Sequence, residues 1–169
     1  MKKLKSIFIA TLLFIGATSF VNAQSNVAHI DTQALAEAMP EMKAAQSQLE
    51  KLQKTYETEI KTLFKEYETK AGQYKAEAET KTNEENAKRA EELQGMQASI
   101  TAYQQGAADD LQKKQADLIA PIFEKARTAI QKVGRAQGFQ YVLDNTQGAG
   151  LLLAEGKDLL IDVKKELGI

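Results

Sequence analysis

From Met42 onward, apolar residues recur at steps of three and four: Met42, Ala45, Leu49, Leu52, Tyr56, Ile60, Leu63, Tyr67, Ala71, Tyr74 and Ala78. The mean step is the period of an α-helix with a single apolar stripe. From Leu49 the steps run 3-4-4, so that Leu49, Ile60 and Ala71 are equivalent, as are Leu52, Leu63 and Tyr74. An eleven-residue repeat of this kind leaves paired helices nearly straight or slightly right-handed. Off the stripe, Glu50–Lys54, Glu57–Lys61, Glu66–Lys70 and Glu77–Lys81 are spaced for ion pairs along one helix.

The stripe breaks at Thr80-Lys81-Thr82-Asn83-Glu84-Glu85. Thr82 and Glu85 have capping-box spacing, which starts a new helix. The stripe resumes at Leu93, Met96, Ile100, Tyr103, Ala107 and Leu111, then at Leu118, Ile122 and Ala126. A long antiparallel hairpin over residues 41–134, turning near 80–84, follows; the alternative is one unbroken helix with a polar patch. Folding back there brings Gly72 and Gly95 roughly opposite each other, which permits close approach or a shared bend. Each arm reaches ~60 Å at 1.5 Å per residue. The stripe thins to alanine toward the turn, so the arm is expected to be firm at its root and mobile at its end.

Around the hairpin the pattern is shorter. Val27 to Asp31 reads as a strand, and Thr32 to Met39 as one or two helical turns stopped by Pro40. Phe139 to Leu143 and Leu151 to Leu153 read as strands either side of a polar turn, and Lys157 to Leu167 as a closing amphipathic helix. The fold class is therefore mainly α with a small β body (α+β), the body being residues 24–40 and 135–169. Such a body is small for a self-sufficient core, and its strands leave edges that no lysine or proline blunts. Homo-oligomerisation covers both.

Residues 1–23 read as a secretory signal. Lys2, Lys3 and Lys5 precede an apolar run from Ile7 to Ile15, and Val21-Asn22-Ala23 is a small-residue cleavage site. Cleavage after Ala23 and export to the periplasm are expected, the alternative being an uncleaved anchor. The chain has no Cys, which excludes a lipidated signal and disulfides. Removing residues 1–23 takes three of the 22 Lys/Arg and none of the 23 Asp/Glu, leaving a net charge of −4. That balance argues against nucleic acid, and against more than indirect contact with a membrane.

Little supports catalysis, and no enzyme activity, cofactor or metal is expected. With one His (His29) and no Cys, nucleophilic Cys/His pairs and zinc clusters are impossible. Glu84/Glu85 and Glu91/Glu92 lie on a polar helix with nothing to separate their pKa values.

In order and spacing, the opening strand Val27 to Asp31, the charged hairpin, Phe139-Gln140-Tyr141-Val142-Leu143-Asp144 and Asp158-Leu159-Leu160-Ile161-Asp162-Val163 resemble the Skp/OmpH family of periplasmic chaperones for outer-membrane proteins. The resemblance implies a homotrimer with three helical arms around a client cavity, and ATP-independent holding of unfolded outer-membrane β-barrel proteins. One departure is charge: residues 41–110 carry 10 Lys/Arg and 14 Asp/Glu. Lipopolysaccharide binding is accordingly not carried over, and client contacts are expected to be apolar and aromatic. The candidates are Phe64, which flanks the seam, together with Tyr56, Tyr67, Tyr74, Tyr103 and Met96. The rival function is a structural or adaptor coiled coil of the cell envelope, which would need a stripe apolar to its tip.

Overall fold

A computed structural model describes residues 26–169; the signal segment and its cleavage site lie outside the described residues. The chain runs β1 (Val27–Ile30), α1 (Thr32–Ala38), α2 (Pro40–Glu77), a 3-10 turn (Ala78–Thr80), α3 (Asn83–Ala136), β2 (Tyr141–Asp144), β3 (Lys157–Asp158) and α4 (Leu160–Leu167). It is a long helical hairpin on a small three-stranded sheet.

Local chemistry sets each boundary. Asp31 caps α1 by accepting from the Ala34 N–H at 2.8 Å. Met39 is extended (φ −71°, ψ 129°), as a residue before proline must be, so α1 ends there and α2 begins with Pro40 in its first turn. At the far end Thr82 and Glu85 form the reciprocal capping box, with Glu85 N–H to Thr82 Oγ1 at 3.2 Å and Thr82 N–H to Glu85 Oε2 at 3.0 Å. Asn86 Nδ2 donates to the Ala78 carbonyl at 2.9 Å, satisfying one of the acceptors left at the end of α2. The chain thus turns back where the sequence breaks.

The sheet order is β2-β1-β3 and both pairings are parallel. Ala28 and Ile30 of β1 point into the core, where Leu35, Met39, Leu159 and Val163 are fully buried with Ile30. Met42 and Ala45 of α2 and Ile122, Ala126, Ala129 and Val133 of α3 complete that cluster, so it reaches only the root of the hairpin. At the end of β2, Asp144 ties the first residue of α1 to the loop that follows the strand. It accepts from the Thr32 hydroxyl at 2.7 Å and the Thr146 hydroxyl at 2.7 Å, and Thr146 Oγ1 also lies 3.1 Å from Asp31. Burial alone would raise the Asp144 pKa, but these bonds and those from the Thr146 and Thr32 backbone N–H groups outweigh it and hold the carboxyl below its ordinary value.

Three expectations are corrected. Leu151 to Leu153 form no strand: that stretch is a loop between Gly148, Gly150 and Gly156, all at positive φ, and Leu152 is fully exposed. The third strand is Lys157–Asp158, so one sheet edge does carry a lysine, while β2 remains unblunted. Gly72 and Gly95 make no close approach, because both are exposed and a Cβ on either would meet nothing within 4 Å.

The glycine that does permit close packing is Gly134 in α3, where a Cβ would lie 2.9 Å from Val142 Cγ2. Valine is stiff at χ1 and cannot swing aside cheaply. Gly134→Ala is expected to destabilise the fold by about 1–3 kcal/mol. Gly106→Ala, in the open interior of the same helix, is expected to stabilise it by about 0.5–1 kcal/mol. Urea unfolding of the two variants checks the contrast.

Candidate functional site

Beyond Ala45 and Ile122 the paired helices depend on one another. In α2 the positions shielded from solvent are the residues of the predicted stripe, joined by Glu41, Lys70 and Glu77. In α3, Leu93, Met96, Ile100, Tyr103, Ala107 and Leu111 face inward, and of these only Ile100 and Ala107 are buried. The seam is narrow and half-wet.

Its polar bonds run across the hairpin. The Tyr56 hydroxyl donates to Asp110 at 2.8 Å, and its ring meets Tyr103 edge-on with centroids 6.1 Å apart. Tyr103 in turn donates to Glu59. Nearer the turn, Tyr74 and Lys70 both donate to Glu92, while Arg89 pairs with Glu77 at 2.6 Å and lies over the Tyr74 ring at 4.5 Å. None of the four expected pairs along α2 closes among the described residues. Lys70 and Glu77 instead turn toward α3, where partial desolvation strengthens a charge pair relative to one in open water.

These bonds displace the titrations. Hydrogen bonding to Asp110, then burial and the Asp110 charge, raise the Tyr56 pKa; Glu92 does the same to Tyr74. The Lys70 and Tyr74 donors hold Glu92 below the usual carboxylate range, and Gln73 and Arg89 do so for Glu77.

Of the six candidate residues, Phe64 projects outward, with 43% of its surface exposed. Tyr56, Tyr67, Tyr74, Met96 and Tyr103 are half-buried on the seam, where Tyr56, Tyr74 and Tyr103 have their hydroxyls engaged across the hairpin. Sequence reasoning missed a second apolar surface, on the body. Leu152 (100% exposed), Leu153 (72%) and Ile161 (81%) project from the loop and α4, and Tyr141 and Leu143 from the outer face of the sheet. The signal was present in Leu151-Leu152-Leu153, since three consecutive leucines cannot all face one core in an alternating strand. An open groove of about 540 Å³ lies between α3 and β2, lined by Phe123, Ile130, Phe139 and Val142 among others.

Tyrosine-selective carbon-13 NMR across an alkaline titration should find Tyr56 and Tyr74 deprotonating above the ordinary tyrosine value near 10. Asp110→Asn removes the neighbouring charge and should bring Tyr56 down while leaving Tyr74 in place. A Tyr56 titration indifferent to that substitution would contradict the bond.

The family described as Outer membrane protein (OmpH-like) matches residues 26–167. Among solved structures, the chain is similar to an OmpH-like outer membrane chaperone from Caulobacter crescentus CB15, with a TM-score of 0.75 at 17% identity, covering 87% of each chain. No curated protein sequence matches. At 17% identity the structural likeness speaks for the fold, whereas the family match takes in every described element from β1 to α4: this protein belongs to the OmpH-like family.

Proposed function

We propose that this OmpH-like protein is a periplasmic, ATP-independent holdase that shelters unfolded outer-membrane β-barrel proteins between the arms of a homotrimer. Family membership supports a chaperone role. The observation that carries the finer reading is the reach of the hairpin beyond the only extended core among the described residues. That core stops near Ala45 and Ile122, yet α2 alone, with 38 residues, is about 57 Å long. A rod pair whose outer length has no part in the body's packing is suited to enclosing something else.

In this reading residues 1–23 are removed on export, residues 24–40 and 135–169 form the shared body, and residues 41–134 form the arm. Clients meet Phe64 first, with the accessible edges of Tyr56, Tyr67, Tyr74, Tyr103 and Met96 giving further weak contact as the seam loosens. Many weak contacts suit a holdase, since a few strong ones would trap the client. The arm's net negative charge leaves apolar and aromatic contact as the main attraction, and its half-wet seam suits an end mobile enough to fit clients of different size.

Self-association has its own physical support. All-parallel sheets are almost always covered on both faces, whereas here the outer face bears exposed Tyr141 and Leu143, and β2 is an open edge. Further copies of the chain would cover both.

The test dilutes a urea-unfolded outer-membrane β-barrel protein into buffer with and without the chain from Gln24 onward, followed by light scattering. Aggregation should be suppressed at one trimer per client without nucleotide. Phe64→Asp should weaken suppression several-fold while the far-ultraviolet circular dichroism is unchanged. Equal aggregation with and without the protein would refute holding.

A further inference from the structure

We propose that the exposed face of α3 over residues 93–108, with Phe64 beside it, is where the arm takes hold of a client, and that it takes the uncharged core of a single transmembrane β-strand. This rests on the holdase reading above and names the part of the client that is held. From Leu93 to Ala108 the helix carries no Asp, Glu, Lys or Arg, although charged residues make up 27% of the chain. Glu91 and Glu92 stand at one end of the stretch, and Asp109 and Asp110 at the other. Leu93, Met96, Ile100, Tyr103 and Ala107 turn to the seam; the rest is exposed and consists of Gln, Gly, Ala, Ser and Thr. Its two glycines serve no packing within the chain, since a Cβ at Gly95 or Gly106 would meet nothing within 4 Å.

Phe64 sets an aromatic ring beside the middle of this stretch. On α2 it lies between Glu59 and Lys70, which bond to Tyr103 and Glu92 of α3. It follows the seam residue Leu63 by one position, as Gln97, Thr101 and Gln104 follow Met96, Ile100 and Tyr103. In an antiparallel pair, positions of this phase fall on the same side of both helices. One side of the arm therefore joins Phe64, flanked on α2 by Lys61 and Glu68, to an uncharged face of α3.

Charge and length together select the occupant. Covering an ionised side chain strips its water, and along the same length α2 carries a charge at every turn, from Glu57 to Lys70. Residues 93–108 of α3 have no charge to strip, and none to pair with a charged client segment. They span about 24 Å at 1.5 Å per residue. The apolar band of an outer-membrane β-barrel is about 25 Å tall. An extended chain covers that distance in about seven residues, the greater part of one membrane-crossing strand. Before it pairs, such a strand also presents unmet backbone N–H and C=O groups. Gln105 donates to Asp109 at 2.9 Å, but the side chains of Gln97 and Gln104 make no hydrogen bond among the described residues. Each offers an amide donor and acceptor to the client backbone, and Phe64 offers apolar contact to the client's side chains.

The test uses the chain from Gln24 onward and a urea-unfolded outer-membrane β-barrel protein. Gln97→benzoylphenylalanine and, for comparison, Lys113→benzoylphenylalanine place a photo-reactive group at two exposed positions of α3. After dilution, photolysis and digestion, the captured client peptides are identified by mass spectrometry. Capture by the Gln97 variant should be several-fold stronger and should draw on uncharged strand segments rather than charged loops. In parallel, Gln97→Glu with Thr101→Lys adds an ion pair along the helix and keeps the net charge. With unchanged circular dichroism, this double variant should need several-fold more protein for the same suppression of aggregation. Equal capture by the two photo-reactive variants, capture of charged segments by the Gln97 variant, or a double variant as effective as wild type overturns the docking face and leaves holding in place. A wild-type chain that suppresses no aggregation overturns holding, and the docking face with it.

Discussion

Two helices that leave a core together can be held only by what they carry on their facing sides. Here that side is a single stripe, and most of it is half-buried at best. A wider apolar face would have bound the arms more firmly, but at the cost of exposed hydrophobic surface over their whole length. The chain compromises with tyrosines, whose rings fill the seam while their hydroxyls reach carboxylates on the opposite helix. Arg89, stacked on Tyr74 and paired with Glu77, closes the last stretch before the turn. The arm is consequently soluble along its outer faces and coherent along its inner one.

The body works under the opposite constraint. Its sheet is parallel, which ordinarily needs cover on both faces, yet α1 and the helix roots cover only one. The close fit of Gly134 against Val142 shows how tightly the covered face is packed. Exposed side chains crowd the other surfaces, from Tyr141 and Leu143 on the sheet to Leu152 and Ile161 beyond it. An arm made independent of its core and a core left uncovered on one side are the two features on which the proposed holdase trimer draws, the first for length to enclose a client and the second for a surface through which copies could join.

Most of the hairpin was legible because its signals are local. The three-and-four spacing of Met42 to Ala78 identifies the inward face residue by residue, and Thr82 with Glu85 marks the turn. What was not legible depends on long-range pairing. Whether Lys70 reaches Glu66 or Glu92 depends on the register of the two helices, which spacing along one helix does not reveal. Leu151 to Leu153 looked like a strand because apolar runs bounded by glycines usually are; the neighbouring positive-φ glycines bend the segment into a loop, and the role passes to the unpromising Lys157 and Asp158. Among the candidate residues, the flanking position of Phe64 was readable from helical phase, but the engagement of the tyrosine hydroxyls was not, since each partner lies on the other arm.

The pairing of the two rods is the claim on which the rest stands. Spin labels on the exposed positions Thr62 and Thr101, in labelled chain diluted with unlabelled chain, test it by pulsed dipolar spectroscopy. Helices packed side by side at about 8–10 Å predict a short separation, within roughly 30 Å once the label arms are included. A continuous rod would separate the same sites by about 58 Å at 1.5 Å per residue, and a distance near that value would contradict the hairpin.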